Sequence, residues 1–390
     1  MLSLVLLVVG MCVQGRSAQL HKFHLEEHVT TKVFSSRAAG VAHAAGNLQY
    51  ILHDKLESQQ AGDIHIVVKL PLGANKQMTE FILDTGSYQL WIKRNNCGAA
   101  NGGDSLATDC SNAKTPISLF YADGAAHGYS GRTSIWLQGG SVSSSNHLFS
   151  VIDSTSFEIK YGILGLAKGN LSPQDAFLPT LKRNQLIQEE AFAIAKRSDG
   201  LYLVLGGVDP SWANDQATQV TVPIKSEIAY YIDVDKVTFG SETIIGGTTP
   251  ALIDSGNSLL SFPWGLKDIL VSVFKTSGLD CQIRQETNRN YYQLHCQLEK
   301  GQTPQVSDLS ITLGGKIFKI PFRDLMIRGD FCREVIPAFA DFDSDGPGKE
   351  LCPMKIEFES GSAKMIIGQV FLEQNYVTFN LEKRTITFIQ

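Results

Sequence analysis

Short apolar and β-branched runs recur along this chain, each closed by Gly, Asn, Asp or Ser. Thr133–Leu137 precedes Gly139 and Gly140, Leu201–Leu205 precedes Gly206 and Gly207, and Leu309–Leu313 precedes Gly314 and Gly315. Asp63–Leu70 alternates partly, and Thr385–Gln390 ends the chain in the same style. Such runs bounded by turn residues predict strands. Helical spacing is confined to two stretches: Ser172–Asn184, which opens with Ser-Pro-x-Asp, and Trp264–Ser277. The pattern predicts an all-β protein with isolated helices.

Two of the predicted strands share a distinctive ending. Phe81-Ile82-Leu83 runs into Asp84-Thr85-Gly86-Ser87, and about 170 residues later Ala251-Leu252-Ile253 runs into Asp254-Ser255-Gly256-Asn257. Each is followed by a second apolar run closed by Gly: Tyr161–Leu166 after the first, Met365–Phe371 after the second. One Asp-Thr-Gly tripeptide means little, but an ordered pair of parts occurring twice is a duplication. It predicts two lobes, 63–215 and 216–390, each carrying one Asp at the end of a buried strand. The following Gly is expected to permit a turn with positive φ and close backbone approach. If the lobes pack symmetrically, the two carboxylates meet.

Composition narrows the function classes. The chain has 390 residues, 43% apolar, with a formal net charge of −5. No long basic block provides an electrostatic footprint for nucleic acid. Leu2–Val13 is almost wholly apolar but too short to span a membrane, and reads as the core of a signal peptide over 1–15. No later run is a transmembrane or anchor candidate. Residues 16–62 then shift in character: His21, His24, His28, His43 and His53 lie here, with Lys22, Lys32, Arg37 and Lys55. This is expected to be a removable N-terminal segment.

Beyond Cys12, six cysteines remain: Cys97, Cys110, Cys281, Cys296, Cys332 and Cys352. An even count behind a secretory signal points to disulfides, and none has the spacing of a zinc or redox site. Cys97–Cys110 is the natural first pair. Local spacing favours Cys281–Cys296 and Cys332–Cys352 for the rest, although the other connectivities stay open.

The wider pattern resembles the pepsin-type aspartic proteases, the family of pepsin and cathepsin D. The resemblance covers roughly 63–390. It rests on Phe-Ile-Leu-Asp-Thr-Gly-Ser-Tyr-Gln-Leu-Trp over 81–91, Phe120-Tyr121-Ala122-Asp123-Gly124, Gly162–Leu166 and Leu205–Asp209. It implies a bilobal acid-protease fold with a central cleft and a catalytic dyad of Asp84 and Asp254, supported by Thr85, Gly86, Ser255 and Gly256. Ser87 would hydrogen-bond the first carboxyl. Tyr121 would sit on a flap hairpin, bonded to the Trp91 indole, with Asp123 and Gly124 at its tip; without the resemblance these aromatics read as core. The family also implies a basic propeptide with a Lys over the dyad, Lys22, Lys32 and Lys55 being candidates. For the cysteines it implies Cys296–Cys332, leaving Cys281 for Cys352.

The chemistry follows from the residues. Two carboxyls held close together cannot both ionise easily, so they share a proton. One then serves as base and the other as acid in a single cycle. The implied activity is acid-leaning endopeptidase cleavage of extended protein segments, bound as an added strand. The expected protein is a monomer of the secretory pathway, secreted or in a lysosome- or vacuole-like compartment, with its own propeptide as partner. No metal and no cofactor are implied. The rival reading is a pepsin-like protein that holds peptide or carbohydrate without cutting.

Three positions depart from the family pattern. Asn257 stands where Thr or Ser is usual, Gln369 where Asp is usual, and Ala122 where a flap Gly is common. Asn257 and Gln369 put the hydrogen bonding of the second carboxyl and the pH optimum in question. Asp341–Gly346 begins like an EF-hand loop, but position twelve is Cys352 and Pro347 follows, so it reads as an acidic loop. Asn170-Leu171-Ser172 is a glycosylation sequon followed at once by Pro173.

Overall fold

The structure is a computed structural model that describes residues 21–31, 51–54, 63–97, 105–122, 124–137, 142–169, 175–197, 200–207, 218–285, 291–299, 306–327 and 349–390. The signal segment, Asp123, the sequon at Asn170, Cys332 and the acidic loop at 341–346 lie outside the described residues.

Strands predominate among the described residues, with few helices. In the first half they are β1 (His21–Thr31), β2 (Ile51–Asp54), β3 (Asp63–Leu72), β4 (Gln77–Asp84), β5 (Leu90–Lys93), β6 (Thr115–Tyr121), β7 (Gly124–Leu137), β8 (Val142–Thr155), β9 (Gly162–Gly165), β10 (Ala191–Arg197) and β11 (Gly200–Leu205). Then come β12 (Gln219–Pro223), β13 (Tyr231–Val234), β14 (Lys236–Phe239), β15 (Glu242–Ile245), β16 (Thr249–Ile253), β17 (Leu260–Pro263), β18 (Asp280–Gln285) and β19 (Tyr291–Glu299). The last are β20 (Leu309–Leu313), β21 (Lys316–Ile320), β22 (Lys349–Glu359), β23 (Met365–Ile367), β24 (Tyr376–Asn380) and β25 (Thr385–Ile389). Each strand expected from the apolar runs is present. The two expected helices occupy Phe177–Arg183 and Lys267–Thr276. A helix at Ser105–Asn112 was not legible, because its sequence SLATDCSN carries no apolar stripe.

The duplication is visible in the pairing. In the first half the order β3-β4-β9-β5-β8-β7-β6 alternates antiparallel, parallel, antiparallel, parallel, antiparallel, antiparallel. In the second half β13-β16-β23-β17-β22-β19-β18 repeats the same sequence of directions. Each Asp-bearing strand therefore lies beside the strand of the later apolar-Gly run. In the second half that run is a strand only to Ile367; Gln369–Leu372 turns into a short helix.

Burial explains why the Asp strands read as continuous apolar runs. Phe81, Ile82 and Leu83 are all buried, as are Ala251 and Ile253, while Leu252 is half-buried; Ile82 and Leu252 lie on the face that lines the cleft. Each large side chain so buried contributes about 1.5–3 kcal/mol. The two halves also share a sheet. Strands β12, β25 and β24 join β10, β11 and β1 in the same large sheet as β3 and β4. A four-stranded sheet, β15-β14-β20-β21, completes the second half.

Strand β1, from the expected removable segment, is antiparallel to both β11 and β3 and lies between them. Cutting the chain at its expected boundary would uncover the edges of both neighbours, so the gap would need another strand. The Cys97–Cys110 and Cys281–Cys296 disulfides are formed. The second overturns the pairing implied by the family: β18 and β19 place Cys281 and Cys296 directly opposite each other. Cys352 is also disulfide-bonded.

Candidate active site

Asp84 and Asp254 lie at the ends of strands β4 and β16 and are brought to one point. Their carboxyl groups are hydrogen-bonded to each other. The following residues lock the two loops together. The Thr85 N–H donates to Ser255 Oγ at 3.0 Å, and the Ser255 N–H donates to Thr85 Oγ1 at 2.8 Å. Each hydroxyl then donates across to the opposite strand, Thr85 to Ile253 O at 2.9 Å and Ser255 to Leu83 O at 2.6 Å. Thr85 and Ser255 are both fully buried. This reciprocal set fixes the spacing of the carboxyls through side chains that have no other use.

The glycines are there for space. Neither Gly86 nor Gly256 has a positive φ, contrary to the expected turn. A Cβ on Gly86 would instead lie 2.6 Å from Asp254 Cγ, and one on Gly256 would lie 2.5 Å from Asp84 Oδ1. Each loop presses against the other loop's carboxyl, and no L side chain fits. Gly256→Ala should therefore cost at least 100-fold in any dyad-dependent activity, since misplacing a reacting group by an ångström has that effect. Rate measurements on a purified, folded variant check this; near-normal activity would show that the loops can part.

Hydrogen bonding around the dyad is unequal. Asp84 Oδ1 accepts from the N–H groups of Gly86 at 2.8 Å and Ser87 at 3.2 Å, while Oδ2 accepts from the Ser87 hydroxyl. Asp254 Oδ1 accepts from the Gly256 N–H at 2.8 Å, with the Asn257 N–H as a further backbone donor. Asn257, at the position that corresponds to Ser87, donates its side-chain amide elsewhere, to Ser261 and Glu357. Burial raises the pKa of both carboxyls. For Asp84 the Ser87 hydroxyl and Gly86 N–H oppose that rise. Asp254 is pushed well above the ordinary range, first by burial and then by the charge of Asp84. Both carboxyls therefore favour the protonated form more than a free carboxyl does, Asp254 the more strongly, and the pair titrates as a unit.

The hairpin of β6 and β7 closes over the dyad, with Tyr121 opposite Gly124 beside its tip. The Trp91 indole donates to the Tyr121 hydroxyl at 2.7 Å. That hydroxyl also reaches Ser87, which continues the chain to Asp84. Burial and the Asp84 charge hold Tyr121 protonated. Gly124 has φ of 146°, a value that favours glycine. Ala122 lines the cleft; Asp123 lies outside the described residues.

The cleft has a volume of about 390 Å³ and runs past both aspartates beneath Phe120 and Tyr121. Gln369 is fully buried and donates to Ser255 O at 2.6 Å, so it braces the second loop. The sequence did not single out Ser261, Tyr291, Gln293 or Glu357, which complete the Asp254 side. Strand alternation could have placed Glu357 opposite the face of Ile356 and Phe358, but not against the cleft. Among the described residues no cluster of His, Cys, Asp and Glu could hold a metal ion.

The eukaryotic aspartyl protease family matches residues 66–390. This chain belongs to that family. Pepsin A of Gallus gallus is 23% identical over 333 residues, covering 80% of this chain and 80% of its own. Secreted aspartic protease 3 of Candida albicans is 24% identical, covering 82% and 78%. Vacuolar protease A of Arthroderma otae is 22% identical, covering 82% and 76%. Among the described residues no helix is long and apolar enough to cross a membrane.

Proposed function

We propose that this protein is an aspartic endopeptidase that hydrolyses peptide bonds at the Asp84–Asp254 dyad. The observation that carries this is the pair of carboxyls joined by a hydrogen bond on the wall of the cleft, one with the Ser87 hydroxyl as a donor and the other with backbone donors. In the proposed cycle, Asp84 is the ionised member and removes a proton from a water. The hydroxide adds to the carbonyl carbon while Asp254 gives its proton to the carbonyl oxygen. Collapse of the gem-diol intermediate breaks the C–N bond: Asp84 gives its proton to the leaving amine, and one diol hydroxyl returns a proton to Asp254 as the new carbonyl forms. Substrate lies extended in the cleft beneath the flap, whose closure excludes water.

The reading extends to an acid-active enzyme made as a zymogen in the secretory pathway, secreted or vacuolar like its named relatives. Segment 16–62 is its propeptide, and the lobes divide near 215. Acidification would protonate carboxylates that pair with Lys or His of that segment and so release it.

The test is incubation of the full-length chain with denatured haemoglobin across pH 2–7, with and without a statine-type inhibitor. Inhibitor-sensitive cleavage, with a fall in the enzyme's own size between pH 3 and 5, is the expected result. No inhibitor-sensitive cleavage at any pH would favour the rival, a protein that holds peptide or carbohydrate without cutting.

A further inference from the structure

Asn257 stands three residues after Asp254, the place that Ser87 holds after Asp84. Ser87 turns to its aspartate, whereas Asn257 turns away. Its Nδ2 donates to Ser261 Oγ at 2.8 Å and to Glu357 Oε1 at 3.1 Å, and its Oδ1 accepts from the Leu259 N–H at 2.7 Å. Ser261 also donates to Glu357 Oε1. Ser261 and Glu357 are register partners on β17 and β22.

The duplication shows what is unusual here. Leu90 faces Leu164 in the first half as Leu260 faces Ile367 in the second. Trp91 therefore corresponds to Ser261, and its partner Ser150 corresponds to Glu357. A small hydroxyl and a carboxylate replace the indole and hydroxyl of the first half. Ile356 and Phe358 are fully buried, so alternation turns Glu357 to the other face, where it lines the cleft.

We propose that Glu357 is a positioning residue: with Ser261, it holds the Asn257 side chain away from Asp254, leaving that carboxyl to backbone donors and to Asp84. This rests on the dyad being the catalytic centre. Asp254 then keeps its proton to higher pH than it would with an amide donor beside it. The other titratable groups facing the cleft are Asp84 at the end of β4, Tyr121 on the flap, His65 on β3, Glu158 after β8 and Tyr291 on β19.

Two substitutions separate positioning from charge. Glu357→Gln removes the charge but keeps a carbonyl oxygen for Asn257; Glu357→Val removes both. The basic limb of the kcat/KM profile should move lower in Glu357→Val than in Glu357→Gln, by roughly one pH unit, the worth of one hydrogen bond to a carboxylate. In an Asn257→Ala background the two variants should coincide. Equal limbs with Asn257 present, or a difference that survives Asn257→Ala, would overturn the proposal. Ser261→Ala removes the other acceptor and should give a smaller shift the same way, which keeps the test open if Val unsettles β22. Carboxyl 13C NMR titration of the same variants needs no turnover. A protein that cleaves nothing would sink the protease reading, while the titration would still decide the role of Glu357.

Discussion

Asp254→Asn is expected to abolish peptide hydrolysis while raising the melting temperature near pH 7. The activity loss should be at least about 1,000-fold, because the shared proton and the acid that delivers it both disappear. The stability gain follows from burial. Asp254 is half-buried on the wall of the cleft, and its folded pKa lies well above the ordinary carboxylate value. A group whose pKa is raised on folding stabilises the native state at low pH, and that contribution is lost as pH rises through the folded pKa. Near pH 7 the wild-type fold must either keep Asp254 protonated, while the unfolded carboxyl is ionised, or hold a second charge beside Asp84; asparagine does neither. The gain should fade as pH falls toward about 4, where the unfolded carboxyl is also protonated. Thermal melts from pH 3 to 8 beside peptide assays check both effects. A variant that kept substantial inhibitor-sensitive cleavage, or melted lower than wild type at pH 7, would contradict this account of the dyad.

His147 should set the limit at the acid end. Its side chain is 1% exposed, lies 2.6 Å from Ser144 Oγ through Nε2, and sits against the Phe177 ring. Burial lowers its pKa to about 3, with the charges of Arg183 and Arg132 adding to the effect. The sign is opposite to that of the dyad. The neutral ring stabilises the fold fully above about pH 6.5, and the contribution is lost as pH falls toward 3. At about 1.4 kcal/mol per pH unit, moving from pH 7 to pH 4 costs on the order of 3 kcal/mol from this residue alone. His295, lowered to about 4 by burial and then by Arg284, acts in the same direction. His147→Gln keeps a polar atom for Ser144 but does not titrate. It should lose about 3 kcal/mol less than wild type between pH 7 and pH 4 in urea unfolding, whatever its stability at pH 7. Equal losses would show that His147 is hydrated or charged in the fold. An acid-active reading thus carries a conflict, since the dyad favours acid and the buried histidines resist it.

The strands were legible because each buried run had to be apolar and each turn had to break it. Phe81–Leu83 and Ala251–Ile253 could be placed without coordinates for that reason. The helix at Ser105–Asn112 was hidden by its lack of an apolar stripe. The glycines were legible as special, and of the two reasons expected for them only one holds: Gly86 and Gly256 allow the close approach of the opposing carboxyl, while neither has a positive φ. The family-implied disulfides failed at Cys281–Cys296, where the β18–β19 register decides the pairing.

By itself the sequence determined two strand-Asp-Gly units, their order and the asymmetry between Ser87 and Asn257, since these are local chemistry written in residue type. Only the tertiary structure decided what that asymmetry does. Whether Asn257 serves Asp254 depends on Glu357, a hundred residues further on, which comes within hydrogen-bonding reach because β22 lies parallel to β17. Hydrogen-bond competition between distant segments leaves no periodic trace in a chain, so it appears only when the strands are paired.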